Sequence, residues 1–466
     1  MSKKLVIVTL LAVLAIGVSV AQATVSRLDT LGQNTGLVYI QDDTNIFTNP
    51  AALANYPNCL IFHMAGVSGD DKYAAGGVSL ALGKMLTLGI IVGRNPGFEE
   101  YGLLGSLIGT ALSSAPGTLG TSASTAMMAP ISFTNPWGAY SYTNTVGGIA
   151  GYPNGAMNWV NPIDLILAAK VGNLKLGLSW YYAGGKQEDT QENDVASYSD
   201  ELTGRLQAWK FGVATTMGNM SPELWFQYAP FSVKSKFEEA SGPLTEETRY
   251  LKAHRFNIGF RVPYKMNEKI TLVPAFEYSN VGGNIKFDAT PDFNPTSVAG
   301  LTEGDLSDKY TGNAINVGVG INYQIEKLLV ASSIGLQWAS AKETLSVNGL
   351  DGDVNWQSKW FAIPVVGLGL EYQATKVLVF RGGLSTTTLY GKATGSYNAS
   401  VAGAANSKDE VKVSQQNTTA SVGLGFLFGN LVIDVTAGNM ILANEPGNDG
   451  HGNNSLFSAL DFKYKF

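Results

Sequence analysis

Leu456-Phe457-Ser458-Ala459-Leu460-Asp461-Phe462-Lys463-Tyr464-Lys465-Phe466 ends the chain. Side chains along a strand alternate between its faces. Leu456, Leu460, Phe462, Tyr464 and Phe466 therefore share one oily, aromatic face, while Phe457, Ala459, Asp461, Lys463 and Lys465 share one that is mostly charged or small. In a water-soluble protein this is an ordinary half-buried strand. Here the chain also opens on a secretory signal and closes on an aromatic residue. The combination points to the closing strand of a barrel whose oily face, Leu460, Phe462, Tyr464 and Phe466, meets lipid.

The same alternation recurs upstream. Ile315 to Tyr323 reads I-N-V-G-V-G-I-N-Y. Leu174, Leu176, Leu178, Trp180 and Tyr182 alternate with Lys175, Gly177, Ser179 and Tyr181. Phe256, Ile258, Phe260 and Val262 alternate with Asn257, Gly259, Arg261 and Pro263, and Val422, Leu424, Phe426 and Phe428 with Ser421, Gly423 and Gly425. Period two in strand after strand means a sheet with one greasy face. Glycines on the other face weaken a strand in water; in a barrel they make room for a plug, a loop or a passage.

Connections sort into two kinds. Tight ones fall near 83–84, 172–173, 217–221, 263–269, 324–327, 373–375 and 429–430. Longer polar ones are expected at 184–206, 234–249, 280–312, 339–357, 390–415 and 442–455. Strict alternation of short and long is expected of an outer-membrane barrel and is not required of a water-soluble sandwich. Counting from Cys59 gives roughly sixteen strands, and the expected fold is an all-β transmembrane antiparallel β-barrel of about 14–16 strands with a short N-terminal hatch. Tyr181, Tyr182, Trp225, Tyr228, Tyr278, Tyr323, Trp338 and Tyr372 lie near strand ends and fit interfacial girdles, or else reflect plain strand propensity.

Met1 to Ala23 reads as a secretory signal: basic Lys3 and Lys4, an apolar run from Leu5 to Val20, and Ala21-Gln22-Ala23 as the cleavage site. A retained anchor is the competing reading, but the apolar run is short for a span. The net charge of -6 becomes -8 once those two lysines are removed, which leaves no basic footprint for nucleic acid. The single cysteine, Cys59, excludes an intrachain disulfide and a cysteine zinc cluster. Charged residues at only 15% fit a chain with little water-facing shell.

Residues 24–58 precede the first clear strand and contain Gln41-Asp42-Asp43-Thr44-Asn45-Ile46-Phe47-Thr48-Asn49-Pro50-Ala51-Ala52-Leu53. Asn49 is a good helix cap, Pro50 suits the first helical position, and Pro57 ends the turn soon after. Taken alone this is a capped turn at a domain edge. With the hairpins that follow, the segment resembles the N-terminus of the FadL/TodX-like family of outer-membrane long-chain fatty-acid and hydrocarbon transporters. Their hatch carries an Asp pair, a short polar spacer and then Asn-Pro-Ala; here these are Asp42, Asp43, Asn49, Pro50 and Ala51. The close resemblance covers about forty residues, and the rest matches in architecture. The Gly-rich run that usually precedes the Asp pair is thin here (Gly32, Gly36), and the family has fourteen strands. PorV-type barrels of a secretion system share the Asn-Pro-Ala start. The resemblance implies a hatch over residues 24–58, a barrel over 59–466 and a bacterial outer-membrane location.

Residues 94–161 form an insertion in which Glu99 and Glu100 are the only charges between Arg94 and Asp164. Leu104, Ile108 and Leu112 fall at helical spacing with Leu103, Leu107 and Ala111 beside them, and Trp137 and Trp159 lie further on. Topology puts this apolar segment outside the cell. It is expected either to capture hydrophobic ligand, through Leu103, Leu104, Leu107, Ile108, Leu112, Trp137 and Trp159, or to pack on itself as a lid.

Catalytic signals are missing. His63, His254 and His451 have no metal-ligand spacing, no G-x-S-x-G elbow occurs, and the glycines at 318, 320, 367 and 369 lead into more strand. No enzyme activity, cofactor or metal is expected. The partners expected are outer-membrane lipid, a hydrophobic small molecule and the barrel-assembly machinery. Three functions compete: passive uptake of hydrophobic compounds, a barrel that holds a protein partner as in secretion, and a structural barrel without cargo.

Overall fold

The computed structural model describes residues 25–33, 39–65, 73–94, 160–192, 197–239, 245–289, 306–347, 352–399, 407–437 and 459–466. Two short helices, α1 (Val25–Thr30) and α2 (Asn45–Thr48), and a 3-10 helix (Pro50–Asn55) come first. The strands are β1 (Cys59–Ala65), β2 (Tyr73–Leu82), β3 (Leu86–Val92), β4 (Val160–Val171), β5 (Leu174–Glu192) and β6 (Ser197–Ala214). Then follow β7 (Glu223–Glu239), β8 (Thr245–Arg261), β9 (Tyr264–Lys265), β10 (Ile270–Ala289), β11 (Leu306–Ile325) and β12 (Leu328–Val347). The last are β13 (Gly352–Gln373), β14 (Leu378–Ala399), β15 (Ser407–Phe428), β16 (Leu431–Ala437) and β17 (Ala459–Lys465).

Each strand pairs antiparallel with its sequence neighbour, except that β9 only prolongs β8 against β10. Sixteen staves result, at the upper end of the expected range. The ring shuts where β1 meets β17, from Cys59↔Lys465 to Ala65↔Ala459, with the Phe62 and Phe462 rings 6.2 Å apart on the seam.

The faces are inverted relative to a water-soluble protein. Outward side chains are apolar and exposed: Leu174, Leu176 and Leu178 on β5, Leu224 and Phe226 on β7, Leu368 and Leu370 on β13. Inward side chains are polar and buried: Lys210, Gln227, Asn257, Arg261, Asn316, Glu371, Arg381 and Asp434. A ring of exposed Leu and Phe on every side of a closed sheet is a lipid-facing surface. On β17, Asp461 and Lys463 point in and are buried, while Phe462 and Tyr464 point out.

The tight connections are two-residue turns at Gly172–Asn173 and Gly429–Asn430, where the glycines take φ of 60° and 62°. Such positive φ matches the strand twist in a hairpin and favours glycine.

Two expectations need correction. The described parts of the polar stretches at 184–206, 234–249, 280–312, 339–357 and 390–415 are strand, since β5 runs to Glu192 and β15 begins at Ser407, while 442–455 lies outside the described residues. Strands of 17 to 22 residues exceed the roughly 9–11 that a tilted strand needs to cross a bilayer. Beyond the apolar band the sequence is polar at both parities, so the hydrogen-bonded ladder continues while the hydrophobic alternation stops. The second correction concerns Tyr181 and Trp225, for which an interfacial girdle was one of two readings, beside plain strand propensity: both are buried and point inward, so neither belongs to a girdle. Tyr181 lies between the outward Trp180 and Tyr182, and strict alternation leaves it no other face. Tyr228, Tyr323 and Tyr372 are exposed on the outer wall.

Candidate functional site

The N-terminal segment sits inside the ring. The Asn49 side-chain oxygen accepts the Ala51 N–H at 3.1 Å, and Pro50 opens the 3-10 turn, so the local capping chemistry is in place. The Asn49 amide also reaches the wall, donating to the Val213 carbonyl at 3.3 Å and to Glu223 at 3.4 Å. Lys210 donates to the Phe47 carbonyl at 2.6 Å, and Arg261 binds both Glu223 (3.0 Å) and the Asn45 side-chain oxygen (3.2 Å).

Two wall glycines make this seat. A Cβ at Gly177 would stand 2.1 Å from the Ala51 nitrogen, and one at Gly212 would stand 1.9 Å from the Asn49 oxygen. At Gly177 the obstacle is backbone, which excludes any side chain; at Gly212 it is the Asn49 side chain and the Pro50 ring. Leu53, Ile46 and Phe47 fill the adjoining apolar niche against Ala75, Ile91, Ile166 and Ala168.

The Asp pair meets the closing strand. Asp43 is paired with Lys463 at 2.8 Å, and the Lys463 ammonium lies 4.7 Å from the centre of the Tyr56 ring. Asp461, on the same inward face, accepts the Ser26 N–H at 2.7 Å and contacts His63. Asp42 accepts the Thr44 N–H at 2.9 Å and the Thr44 hydroxyl. One oxygen of each Asp is buried without a hydrogen-bond partner. Burial first, and then the neighbouring Asp43 charge, push the Asp42 carboxyl up to about 7. Burial also raises Asp43, against the pull of Lys463.

A pH dependence follows. Between the usual carboxylate range and about 7, the folded Asp42 holds a proton that the unfolded chain has lost. The contribution of this group to stability therefore falls as pH rises through that window, by at most about 1.4 kcal/mol per unit, and is flat above it. Wild type should lose more thermal stability than Asp42→Asn between pH 5 and pH 7.5; parallel pH profiles for the two proteins would contradict the assignment.

Further round the ring, Arg27 of α1 binds Glu371 through two bonds of 2.5 and 3.1 Å. Arg381 bridges the same Glu371 (2.7 Å) and Asp434 (2.5 Å). Thr30 meets Thr436, hydroxyl to hydroxyl, at 3.0 Å. Gly367, Gly369 and Gly383 leave room for the backbone at Thr30 to Gly32, and Gly318 and Gly320 for Tyr39. Arg94, at the base of the apolar insertion, binds Asp164 through bonds of 2.7 and 2.8 Å. Its guanidinium carbon lies 4.8 Å from the centre of the Phe47 ring and 4.6 Å from that of Tyr181.

The structure thus brings Asp42, Asp43, Asn49, Pro50 and Ala51 onto the inner wall, Asp43 against Lys463 and Asn49 to Ala51 against Gly177, Gly212 and Glu223. Leu103, Leu104, Leu107, Ile108, Leu112, Trp137 and Trp159 lie outside the described residues. Arg27, Arg94, Asp164, Glu223, Arg261, Glu371, Arg381 and Asp434 were not singled out from the sequence. Their signal was there: each strand member is a charge at inward parity beside outward apolar residues. Among the described residues, no group of His, Cys, Asp and Glu could hold a metal ion.

No family model matches the chain, and no curated protein matches it. Solved structures similar to it include the Ralstonia pickettii toluene transporter TbuX, at 10% identity and a TM-score of 0.40 over 96% of this chain and 99% of that one. The Pseudomonas putida toluene transporter TodX is 9% identical, with a TM-score of 0.33 over 95% and 96%. The CymD monoaromatic hydrocarbon channel is 10% identical, with a TM-score of 0.33 over 95% and 97%.

Proposed function

We propose that this chain is a bacterial outer-membrane barrel for passive uptake of hydrophobic small molecules, with long-chain fatty acids or hydrocarbons as cargo. The observation that carries the reading is the N-terminal segment seated on glycine ledges inside a lipid-facing ring. Its contacts with the wall combine hydrogen bonds and ion pairs with three apolar niches, around Leu53, around Leu28, Leu31 and Ile40 against Ala331, and around Tyr39 against Val273 and Ala275. It bears the Asp-Asp and Asn-Pro-Ala pattern of a hatch. Cargo would collect on the outer insertion over residues 94–161, enter the ring, and leave when the hatch shifts. The step is gating of a plug, so the reading assigns no catalytic residue and no cofactor.

The test is uptake of radiolabelled oleate and toluene by cells that lack their own barrels of this kind. Cells making this chain should accumulate either probe faster than cells with an empty vector. Leu104→Glu, Leu107→Glu and Ile108→Glu should each lower uptake severalfold while the barrel still folds. Unchanged uptake in all three would contradict capture by the insertion, and no uptake by wild type would contradict transport.

A second reading is favoured by the depth of ionic anchoring at Arg27, Lys463 and Arg261. A plug held so firmly suits a barrel that never opens and instead holds a protein partner. A stable protein co-purifying with a barrel inactive in uptake would support it.

A further inference from the structure

The outer wall of β6, β7 and β8 carries a cluster of cations just beyond the apolar band. On β6 the outward side chains pass from Phe211 and Trp209 to Arg205 and Thr203; on β7 from Phe226 and Tyr228 to Ser232 and Lys234; on β8 from Phe260 and Ile258 to His254 and Lys252. Pairing puts Arg205, Ser232 and Lys252 in one row across the three strands, and Thr203 beside Lys234 in the next. Strands lie about 4.8 Å apart, so Arg205 and Lys252 stand roughly 10 Å apart, with Ser232 between them. These five side chains line a cavity of about 220 Å³ on the outer face. The Arg205 guanidinium also lies 5.9 Å from the centre of the Tyr182 ring. Lys236 adds a further cation on β7; among the described side chains the carboxylates at this level are Glu201, opposite Lys236 in the register, which accepts the Thr203 hydroxyl at 3.2 Å and lies 3.7 Å from Lys186, and Glu188, which Lys186 also binds.

Among the described side chains the balance is positive, on a chain whose net charge is -6. The same level carries outward Lys309, Lys342 and Lys359 on β11 to β13. Near β15 the collar is neutralised in part, because Glu410 binds both Lys392 (2.8 Å) and Lys412 (3.0 Å). Around β6 to β8, among the described side chains, the outward cations outnumber the acids, and they line a cavity that lies just beyond the apolar band. A ligand there must be anionic at its head and apolar below. Arginine and lysine with neighbouring hydroxyls suit phosphate oxygens, and tetrahedral phosphate matches a guanidinium fork.

We propose that Arg205, Lys234 and Lys252, with Thr203 and Ser232, bind the phosphate-bearing headgroup of an outer-leaflet lipid. Its acyl chains lie along Trp209, Tyr228 and Phe256. The proposal rests on the outer-membrane placement above and is independent of the cargo.

The test is binding of bisphosphorylated lipid A to the purified full-length barrel in a neutral detergent, read by native mass spectrometry. Monophosphorylated lipid A and inorganic phosphate serve as the other arms. Bisphosphorylated lipid A should bind most tightly, and inorganic phosphate at equal concentration should not displace it. The triple variant Arg205→Ala, Lys234→Ala, Lys252→Ala should lose affinity on the order of a hundredfold. It should keep the heat-modifiable gel mobility of a folded barrel and the oleate uptake of wild type. Equal binding by the triple variant, or equal binding of both lipids, overturns the site. Displacement by inorganic phosphate overturns the lipid as its source. Wild-type oleate uptake without any lipid A binding overturns this proposal and leaves the transport reading standing.

Discussion

Gly177→Leu should open the ring. A Cβ at this position meets the Ala51 nitrogen at 2.1 Å and the Pro50 carbonyl carbon at 2.2 Å, and both are backbone atoms that cannot rotate away. Strand β5 is tied to β4 and β6 along its length, so the wall has little freedom to retreat. The N-terminal segment must leave its ledge instead. Overpacking by a few methylenes costs about 1–3 kcal/mol, and the backbone overlap here puts this case at the upper end. One or two kcal/mol is already a factor of about 5–30 in a two-state population. In a planar bilayer the variant should conduct ions in frequent open events where wild type stays closed. Gly382→Leu is the matched control, because Gly382 faces outward and its nearest obstacle is 3.8 Å away. A Gly177→Leu barrel that folds and stays as closed as the Gly382→Leu control would show that the ledge does not hold the plug.

Arg381→Met should cost more than any single change on the outer wall. Arg27, Glu371, Arg381 and Asp434 form a neutral set of two cations and two carboxylates inside the ring. The Arg381 side chain is 2% exposed and that of Asp434 is 0% exposed, so water screens neither. Removing one guanidinium leaves a net buried negative charge, which typically costs about 3–5 kcal/mol. The loss should appear as a lower urea midpoint for the barrel in lipid vesicles. Adding Asp434→Leu restores neutrality and should recover a large part of the loss. Equal midpoints for wild type and Arg381→Met would mean that the set is solvated and holds nothing.

Much of the ring was legible because lipid enforces alternation. Phe462 and Tyr464 out, Asp461 and Lys463 in, could be read directly from β17, and the glycine turn at 172–173 could be read from composition. The tops of the strands could not. Around Thr190 or Lys408 both faces are polar, so period two vanishes from the sequence while the ladder persists. Tyr181 faces inward because parity along β5, not its aromatic ring, decides its face. In the candidate site, the cap formed by Asn49 and Pro50 is a local signal four residues long. The partners of Arg27 and Asp43 are not local: Glu371 lies 344 positions from Arg27 and Lys463 lies near the far end of the chain. Only the closure of the ring brings them together. Gly177 and Gly212 looked like ordinary strand glycines until the segment that rests on them was in place.

The most direct test asks whether the plug has to move. Thr30 of α1 and Thr436 of β16 meet through their hydroxyls at 3.0 Å, so cysteines at both positions are placed to form a disulfide between plug and wall. Thr30→Cys with Thr436→Cys, in a Cys59→Ala background, should take up oleate and toluene when reduced, lose that uptake on oxidation, and regain it with reductant. Uptake that is the same in the oxidised and reduced barrel would contradict the account, because cargo would then be passing a hatch that cannot shift.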